Sequence, residues 1–571
     1  IEPVTGVAWW EGEHVYGYDQ GQNPHAQNRT YASQLGVNQS RCHIRQTSGV
    51  GGLGGGGQTC EPSLCALLSK KAGVPVAISR TRRLHSIRRR NHYSPKGITK
   101  LGGKRDGTMT AMQQKWYCHG GFNAAAGNGW ENIDCSYILP NVTQETYGVA
   151  TNTGFGAGHR CLMHPEAAFT LCVALNAMAD AIGMTPLEYL RKVTITDDML
   201  NQDNGRPMTC ASTRMCLEAV NEKINYEQKY HAPGTRTLPD GRLHGVGIAC
   251  FNDRHGHSGA GRGVVIYMNT DGTCNFVTGQ SNNQNGTNSV TQANIIAEAL
   301  GLPFEAVYCS SYGTNDQAPD GGMQAGSQGA SSNGSASLMA ALDIREQLFA
   351  HAANQLGVAV DDLHARDGKI FVKTDQSKSL THAEVMARIS KPIIGVGKSF
   401  AEVLRRPFQG KPIGTPAFHR QGVASAFEVA VDPDTGDVEI LAHAHTTDCG
   451  RVIDPVTAGG QIGSSLWTAC GKGLLWDVHH DPQRGALLDQ THIDMKAHTA
   501  MDINDDVHGG WLTESVNATG PFGMSGLGEP AANGSGFAAL LMAIHNAIGG
   551  DFSKFTRPMS PDRILKHLGK A

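Results

Sequence analysis

Glycine returns in dense clusters along the whole chain, at 49–57, 154–158, 279–286, 321–334, 459–463 and 520–534. Each cluster interrupts regular structure, so the strands and helices between them must be short or moderate in length. Backbone without Cβ can also approach a ligand closely and point successive N–H groups at anionic oxygens. Several such loops could cradle one large phosphorylated cofactor; ordinary surface turns are the alternative for any single cluster. Glycine totals 71 of 571 residues, about 12% against an average of roughly 7%. Between the clusters the pattern is α+β. Strand-like runs lie at 74–79, 263–268 and 424–431, the last followed by the turn Asp432-Pro-Asp-Thr-Gly436 and a return strand over 437–442, which predicts a hairpin. Helices are expected over 63–72, 166–182, 292–300, 337–356 and 537–548. Thr185 and Glu188 form a capping box with Pro186 at the first helical position, which fixes one further helix start.

The length implies two to four packed units at about 150 residues each. The polar stretch 225–242 marks the main boundary, dividing the chain into 1–235 and 236–571. No fixed-period repeat is visible. Forty-eight Lys and Arg against 51 Asp and Glu give a net charge of −3, so there is no basic field to hold a nucleic-acid backbone. No apolar run approaches the roughly 18 residues needed to span a bilayer, and the chain reads as soluble. The stretch from Ile1 to Asp19 has no signal-peptide pattern. Fourteen cysteines include no Cys-x-x-Cys pair. Cys60 and Cys65 have the first gap of a plant-type iron–sulfur spacing, but Ala66, Leu67 and Leu68 follow where another Cys is required. No cluster is expected on this chain, and the cysteines read as small buried residues.

Three local patterns invite a function and lose it on inspection. Gly49-Val-Gly51-Gly-Leu-Gly54 matches the dinucleotide fingerprint, yet Ser79-Arg80-Thr81 stands where its acidic residue belongs and extra glycines lengthen the turn. The basic run Arg80–His92 suits a solvated face or a subunit contact. The pairs His255/His257, His443/His445 and His479/His480 lack metal partners at diagnostic spacing and read as structural or surface residues. One acid stands apart. Glu529, within Gly526-Leu-Gly-Glu-Pro530 and shortly before the C-terminal helix, suits either a fixed general base or a helix-capping acid.

Taken in order, the segments resemble the molybdenum-cofactor subunit of the xanthine oxidase family of molybdenum hydroxylases. Ile1-Glu-Pro3 with Gln22-Asn-Pro-His25 resembles the family's "MEP…TQxPH". Gly51-Gly-Leu-Gly-Gly-Gly56 resembles GGFGGK, and Thr153-Gly-Phe-Gly-Ala157 resembles RGFGAP. The stretch 279–287 with Glu298-Ala-Leu-Gly-Leu-Pro303 is similar to "GxxDxGQGT…AEELGLP". Asp448-Cys-Gly-Arg-Val-Ile-Asp-Pro455 with Gly460-Gln461 is similar to "DCGxxINP…GQ", and Gly526–Pro530 to GxGEP. Six collinear motifs outweigh the single dinucleotide match.

The resemblance implies two elongated α+β molybdopterin-binding domains with the cofactor between them. It makes Glu529 the base in a reaction that places oxygen from water on an electron-poor carbon, with electrons leaving through the pterin. Gln22 and Gln461 would hydrogen-bond the cofactor. The amides around Gly52, Leu53, Gly54, Phe155 and Gly156 would flank the metal's ligands; Asn285, Gly286, Gly326 and Ser327 would meet the pterin or phosphate end. Molybdenum itself would be held through the pterin dithiolene and not by a side chain. The implied cofactor is molybdopterin in its cytosine dinucleotide form. The implied partners are a small-molecule substrate, a chain carrying [2Fe–2S] clusters, FAD or haem as further carriers, and a separate chain supplying the family's N-terminal region, in a cytoplasmic or periplasmic complex with cytoplasmic preferred. Departures also count. Thr153 replaces the family's Arg, Leu53 its Phe, and Gln284-Asn-Gly286 its GQG. Asn128 stands about where purine enzymes carry a substrate arginine, which disfavours purines. The expected activity is oxidation of an aldehyde or hydroxylation of an aromatic N-heterocycle; a divergent reductase or dehydroxylase and a non-catalytic cofactor-binding subunit are the alternatives.

Overall fold

The computed structural model describes the chain except residues 1–3, 47–60, 89–90, 93, 124–135, 155, 158–159, 162–163, 197–198, 200–211, 254, 257–261, 283–285, 400–420, 503–506, 513–519, 533–534 and 571. It opens on a hairpin of Thr5–Glu11 and His14–Asp19, with Val76–Ser79 antiparallel on one edge and Cys42–Gln46 parallel on the other. Helix Pro24–Leu35 begins at Asn23, whose side chain accepts the Ala26 N–H, with proline at its first position. Helix Glu61–Ala72 covers the hairpin. Its buried Glu61 is neutralised by an ion pair with Arg80, which takes the first residue of the basic run out of solvent. A second sheet, Ser94–Gly103, Met109–His119 and Val142–Val149, supports helix His164–Ile182. The capping box of Thr185 and Glu188 forms as predicted at the head of Pro186–Val193.

Two four-stranded sheets organise the remainder. In one, Leu243–Asp253 pairs with Gln421–Val431, which pairs with Val438–Asp448 and then Val507–Leu512. The predicted hairpin is the central pair, longer at both outer ends than its apolar run indicates. In the other, Val307–Tyr312, Cys274–Thr278, Arg262–Met268 and Ile394–Ser399 lie side by side. Each sheet carries an alanine-rich helix, Ser535–Ile548 on the first and Gly334–Leu356 on the second.

Both contacts depend on strand glycines. A Cβ at Gly247 would sit 2.1 Å from the Ala539 carbonyl oxygen, and one at Gly397 would sit 1.8 Å from that of Ala336. Only glycine lets backbone meet backbone there. Part of the glycine excess therefore belongs to core packing and not to loops.

One buried cluster runs from Met112 and Trp116 through Leu171 and Leu217 to Ile248, Phe251 and Ala426, so residues before and after 235 share a core. Ten of the eleven described cysteines are buried thiols, as their spacing predicts. Among the described residues no single helix is long and apolar enough to cross a membrane.

Candidate functional site

Four segments distant in sequence interlock around Glu529. The turn after strand Leu243–Asp253 supplies Gly256, whose N–H donates to the Gly326 carbonyl at 2.7 Å and whose carbonyl accepts the Gly526 N–H at 3.2 Å. Gly326 and Ser327 both take left-handed backbone, φ 65° and 55°. That turns the Ser327 hydroxyl so that it accepts the Glu529 N–H at 2.5 Å. The fit leaves no room for a side chain at 526, because a Cβ there would lie 1.8 Å from the Ser327 carbonyl oxygen.

The fourth segment is Arg160-Cys161. Arg160 donates to the Gly528 carbonyl at 2.6 Å, to Ser464 Oγ at 2.6 Å and to Gln461 Oε1 at 2.8 Å. Cys161 sits at φ 76°, a region L-residues seldom adopt. Its N–H donates to Glu529 Oε1 at 3.3 Å and its thiol to the Glu529 carbonyl at 2.7 Å. Burial pushes that thiol well above its usual range, and the nearby Asp253 and Glu529 carboxylates push it further, so it stays a neutral donor. The Glu529 carboxylate is thus held by a remote loop instead of capping its own helix, which removes the capping alternative. Its other oxygen, Oε2, is buried without a hydrogen-bond partner among the described residues and lies 3.8 Å from His255 Nε2.

Next to Gly528 opens a cleft of about 640 Å³, including its mouth, onto which Gln324, Ser327, Gln461 and Gly526 face. Behind it is a buried amide ladder. Gln22 Nε2 donates to the Gln324 carbonyl at 2.6 Å, Gln280 donates to the Gln324 side-chain oxygen, and Gln292 donates to Gln280 Oε1 at 2.9 Å. Uncharged donors and acceptors of this kind suit a ring with amide-like edges, such as a pterin, and the Glu529 oxygen that has no partner among the described residues, one residue after Gly528 of the lining, calls for a polar neighbour. The residues fit the implied cofactor.

Of the residues predicted from sequence, Gln22, Gly326, Ser327, Gln461 and Glu529 come together here. Gly286 stands at the head of the π-helical turn Thr287–Gln292, whose Thr287 also faces the cleft. Gly156 lies in a short strand beside Asn91. Gly52, Leu53, Gly54, Phe155 and Asn285 fall outside the described residues, as do Asn128 and the dinucleotide-like run 49–54. Sequence reasoning missed Arg160, Cys161, Asp253 and Gln324, and it read His255 as structural or surface. His255 is instead buried beside the candidate base; the only signal was its position one residue before a glycine at a strand end.

Two sequence models of a molybdopterin cofactor-binding domain match, one over residues 1–194 and the other over residues 219–504. The chain belongs to the molybdenum-binding subunits of the xanthine oxidase family. Among curated relatives, this molybdopterin-binding chain is 24% identical to the "Probable hypoxanthine oxidase" of Escherichia coli, covering 98% of this chain and 58% of that protein. It is 22% identical to the nicotine 6-hydroxylase large subunit of Paenarthrobacter nicotinovorans, covering 98% and 70%. Its fold matches quinoline 2-oxidoreductase of Pseudomonas putida with a TM-score of 0.85 at 20% identity, over all of this chain and 74% of that one.

Proposed function

We propose that this chain is the catalytic molybdenum subunit of a multi-subunit hydroxylase acting on an aldehyde or an aromatic N-heterocycle, with water as the oxygen source. The observation that carries the reading is the Glu529 carboxylate. One oxygen is fixed by the Cys161 amide and the other is buried without a hydrogen-bond partner among the described residues, on the residue that follows Gly528 in the lining of the Gln324–Ser327–Gln461 cleft. A carboxylate so held beside the cleft, with one oxygen left to take a proton, suits a general base.

The bound molybdenum cofactor supplies the two-electron redox chemistry. Glu529 takes the proton through Oε2. Gln22, Ser327, Gln461 and the backbone at Gly326 would hold and orient the pterin end, with Gly286 heading the turn whose Thr287 lines the same cleft. Arg160 ties Gln461 to the Gly528 carbonyl, so the cofactor's amide partner and the base move as one unit. Gly52, Leu53, Gly54, Phe155, Gly156 and Asn285 are assigned to the same cofactor on motif position alone. Division into 1–235 and 236–571 belongs to this reading, as do the cytosine dinucleotide form, an iron–sulfur partner, a partner supplying the family's N-terminal region, and a cytoplasmic complex.

The relatives include a quinoline oxidoreductase and a nicotine hydroxylase as well as aldehyde oxidoreductases, so both substrate classes belong to the reading. The test is Glu529→Gln in the purified complex, assayed over a panel of both substrate classes with a dye acceptor. Turnover should fall on the order of 10²-fold or more with molybdenum content unchanged. Undiminished turnover would remove Glu529 as the base, and a complex without molybdenum would remove the whole reading.

A further inference from the structure

A base that accepts a proton in each cycle must also lose it, and the surroundings of the Glu529 carboxylate offer a group that can take it. The group facing its unpartnered oxygen is His255 Nε2 at 3.8 Å. His255 is not loosely placed. Asp253 Oδ1 accepts both the backbone N–H and Nδ1 of His255, each at 2.7 Å, and Asp253 is fully buried at the end of strand Leu243–Asp253. A carboxylate can only accept, so the ring proton is drawn to Nδ1 and the Nε2 lone pair is turned toward Glu529. Burial by itself would raise Asp253, but His255 and His164 outweigh it and hold the acid well below the usual carboxylate range. His164, fully buried, stacks on the His255 ring at 4.3 Å and fixes its plane. Burial, then the neighbouring His255, lowers His164. Among the described residues, the titratable groups packed against His255 include Asp253 on its own turn, His164 from helix His164–Ile182, and Glu529 and Cys161 from the two loops.

We propose that His255, oriented by Asp253 and His164, is the proton relay that resets Glu529 in each turnover; this rests on Glu529 being the base. The proton leaves the Glu529 carboxyl at Oε2 and bonds to His255 Nε2, directly after a small rotation of the carboxyl or through one water. Glu529 returns to carboxylate and His255 becomes imidazolium beside the Asp253 carboxylate; the imidazolium then gives its Nε2 proton to a water molecule at the exposed edge of the ring, so both groups are restored and no electrons move. Cys161, Asp253 and His255 also hold side-chain atoms within 4.8 Å of one another, a spacing open to a divalent cation. The relay is the better reading because the Cys161 thiol already donates to the Glu529 carbonyl and Asp253 Oδ1 already accepts twice from His255.

The test uses His255→Gln, His255→Gly, Asp253→Asn and Glu529→Gln in the assembled enzyme, with molybdenum content measured for each. His255→Gln should keep its molybdenum and lose turnover by about 10-fold or more. His255→Gly should recover with added imidazole while His255→Gln does not, a response that a merely structural ring would not give. Full turnover in His255→Gln overturns the relay, and so does a molybdenum-replete His255→Gly that ignores imidazole. If Glu529→Gln is inactive while His255→Gln is normal, the relay fails and the base survives; if Glu529→Gln is fully active, the base reading fails as well. Stoichiometric zinc binding that depends on Cys161 would replace the relay with a metal site. Nitrogen NMR of histidine-labelled, cofactor-free protein gives a readout apart from activity. The signal lost in His255→Gln should report a proton on Nδ1, and that preference should vanish in Asp253→Asn. A proton resting on Nε2 in the parent chain overturns the proposal even where a variant fails to take up cofactor.

Discussion

Gly247 and Gly397 stand under helices, whereas Gly256, Gly326, Gly526 and Gly528 stand in loops around Glu529, and the two groups do different work. Under the helices a strand glycine removes a Cβ so that an alanine helix can press on the sheet backbone; the partners are one strand and one helix. Around Glu529 the glycines are junctions where three segments far apart in sequence exchange main-chain hydrogen bonds and the side chain of a fourth, Arg160, donates to the Gly528 carbonyl. The first set holds the core and the second shapes a site. A single composition figure conceals both, which is why reading the excess as cofactor loops alone was too narrow.

The sharpest way to separate the two sets is to add the missing Cβ to each. Gly397→Val should be the most damaging to folding, because even its Cβ falls on the Ala336 carbonyl and the branched methyls have no space. Overpacking of this kind costs about 3 kcal/mol or occasionally more, so a large loss of thermal stability in a melting experiment is expected. An unchanged melting temperature would show that helix Gly334–Leu356 can lift from the sheet at no cost. Gly526→Ala should act oppositely. The loop around Ser327 must shift, cofactor content should fall several-fold, and the melting temperature of the cofactor-free chain should change little. Equal losses of stability in both variants would erase the distinction.

A smaller effect is expected from Arg160→Met, which removes the hydrogen bonds to Gly528, Ser464 and Gln461 but leaves the Cys161 and Ser327 contacts to Glu529 in place. Turnover should drop about 10-fold, the scale of one or two charge-assisted hydrogen bonds at about 1.5–3 kcal/mol each lost in part. A drop as large as that of Glu529→Gln would mean that Arg160 does more than position.

Much of the fold was legible because its signals are local. The Thr185 capping box, the Asp432–Gly436 hairpin turn and the helical stretches ending at Ile182, Leu300, Leu356 and Ile548 all depend on neighbours within a few residues. The helix starts were read two or three residues late at 164, 334 and 535, since Pro, Gly and Ser there mask the first turn. The site was legible only where a motif travels as a block, as with Gly526–Pro530 or Gly460-Gln461. Arg160, Cys161 and His255 could not be found in the same way. Their meaning comes from Glu529, 368 residues away from Cys161 in the chain, and no periodicity records a contact of that separation. Histidine shows this most plainly, because two pairs that look alike in sequence, His255/His257 and His443/His445, send one ring to the site and another into the sheet.

That contrast sets the smallest predicted effect. His445 is fully buried between Ser425 Oγ at 2.7 Å and Thr447 Oγ1 at 2.8 Å, and burial, followed by the charge of Arg160, lowers it from 6.5 to about 3. In the unfolded chain the same ring takes up a proton near pH 6.5, whereas the folded chain accepts it only near pH 3. The unfolded state therefore binds more protons between those values. The stability is present in full above pH 6.5 and declines as pH falls toward 3, by at most about 1.4 kcal/mol per pH unit for one group. His445→Asn retains a hydrogen-bonding side chain but cannot titrate, so its melting temperature should fall less steeply between pH 6.5 and 4 than that of the parent. Some slope should persist, because His164 and His382 are also lowered by burial. Parallel slopes in the two proteins would mean that His445 is not the neutral core ring its two hydroxyl partners imply, and the division between core and site histidines would lose its electrostatic basis.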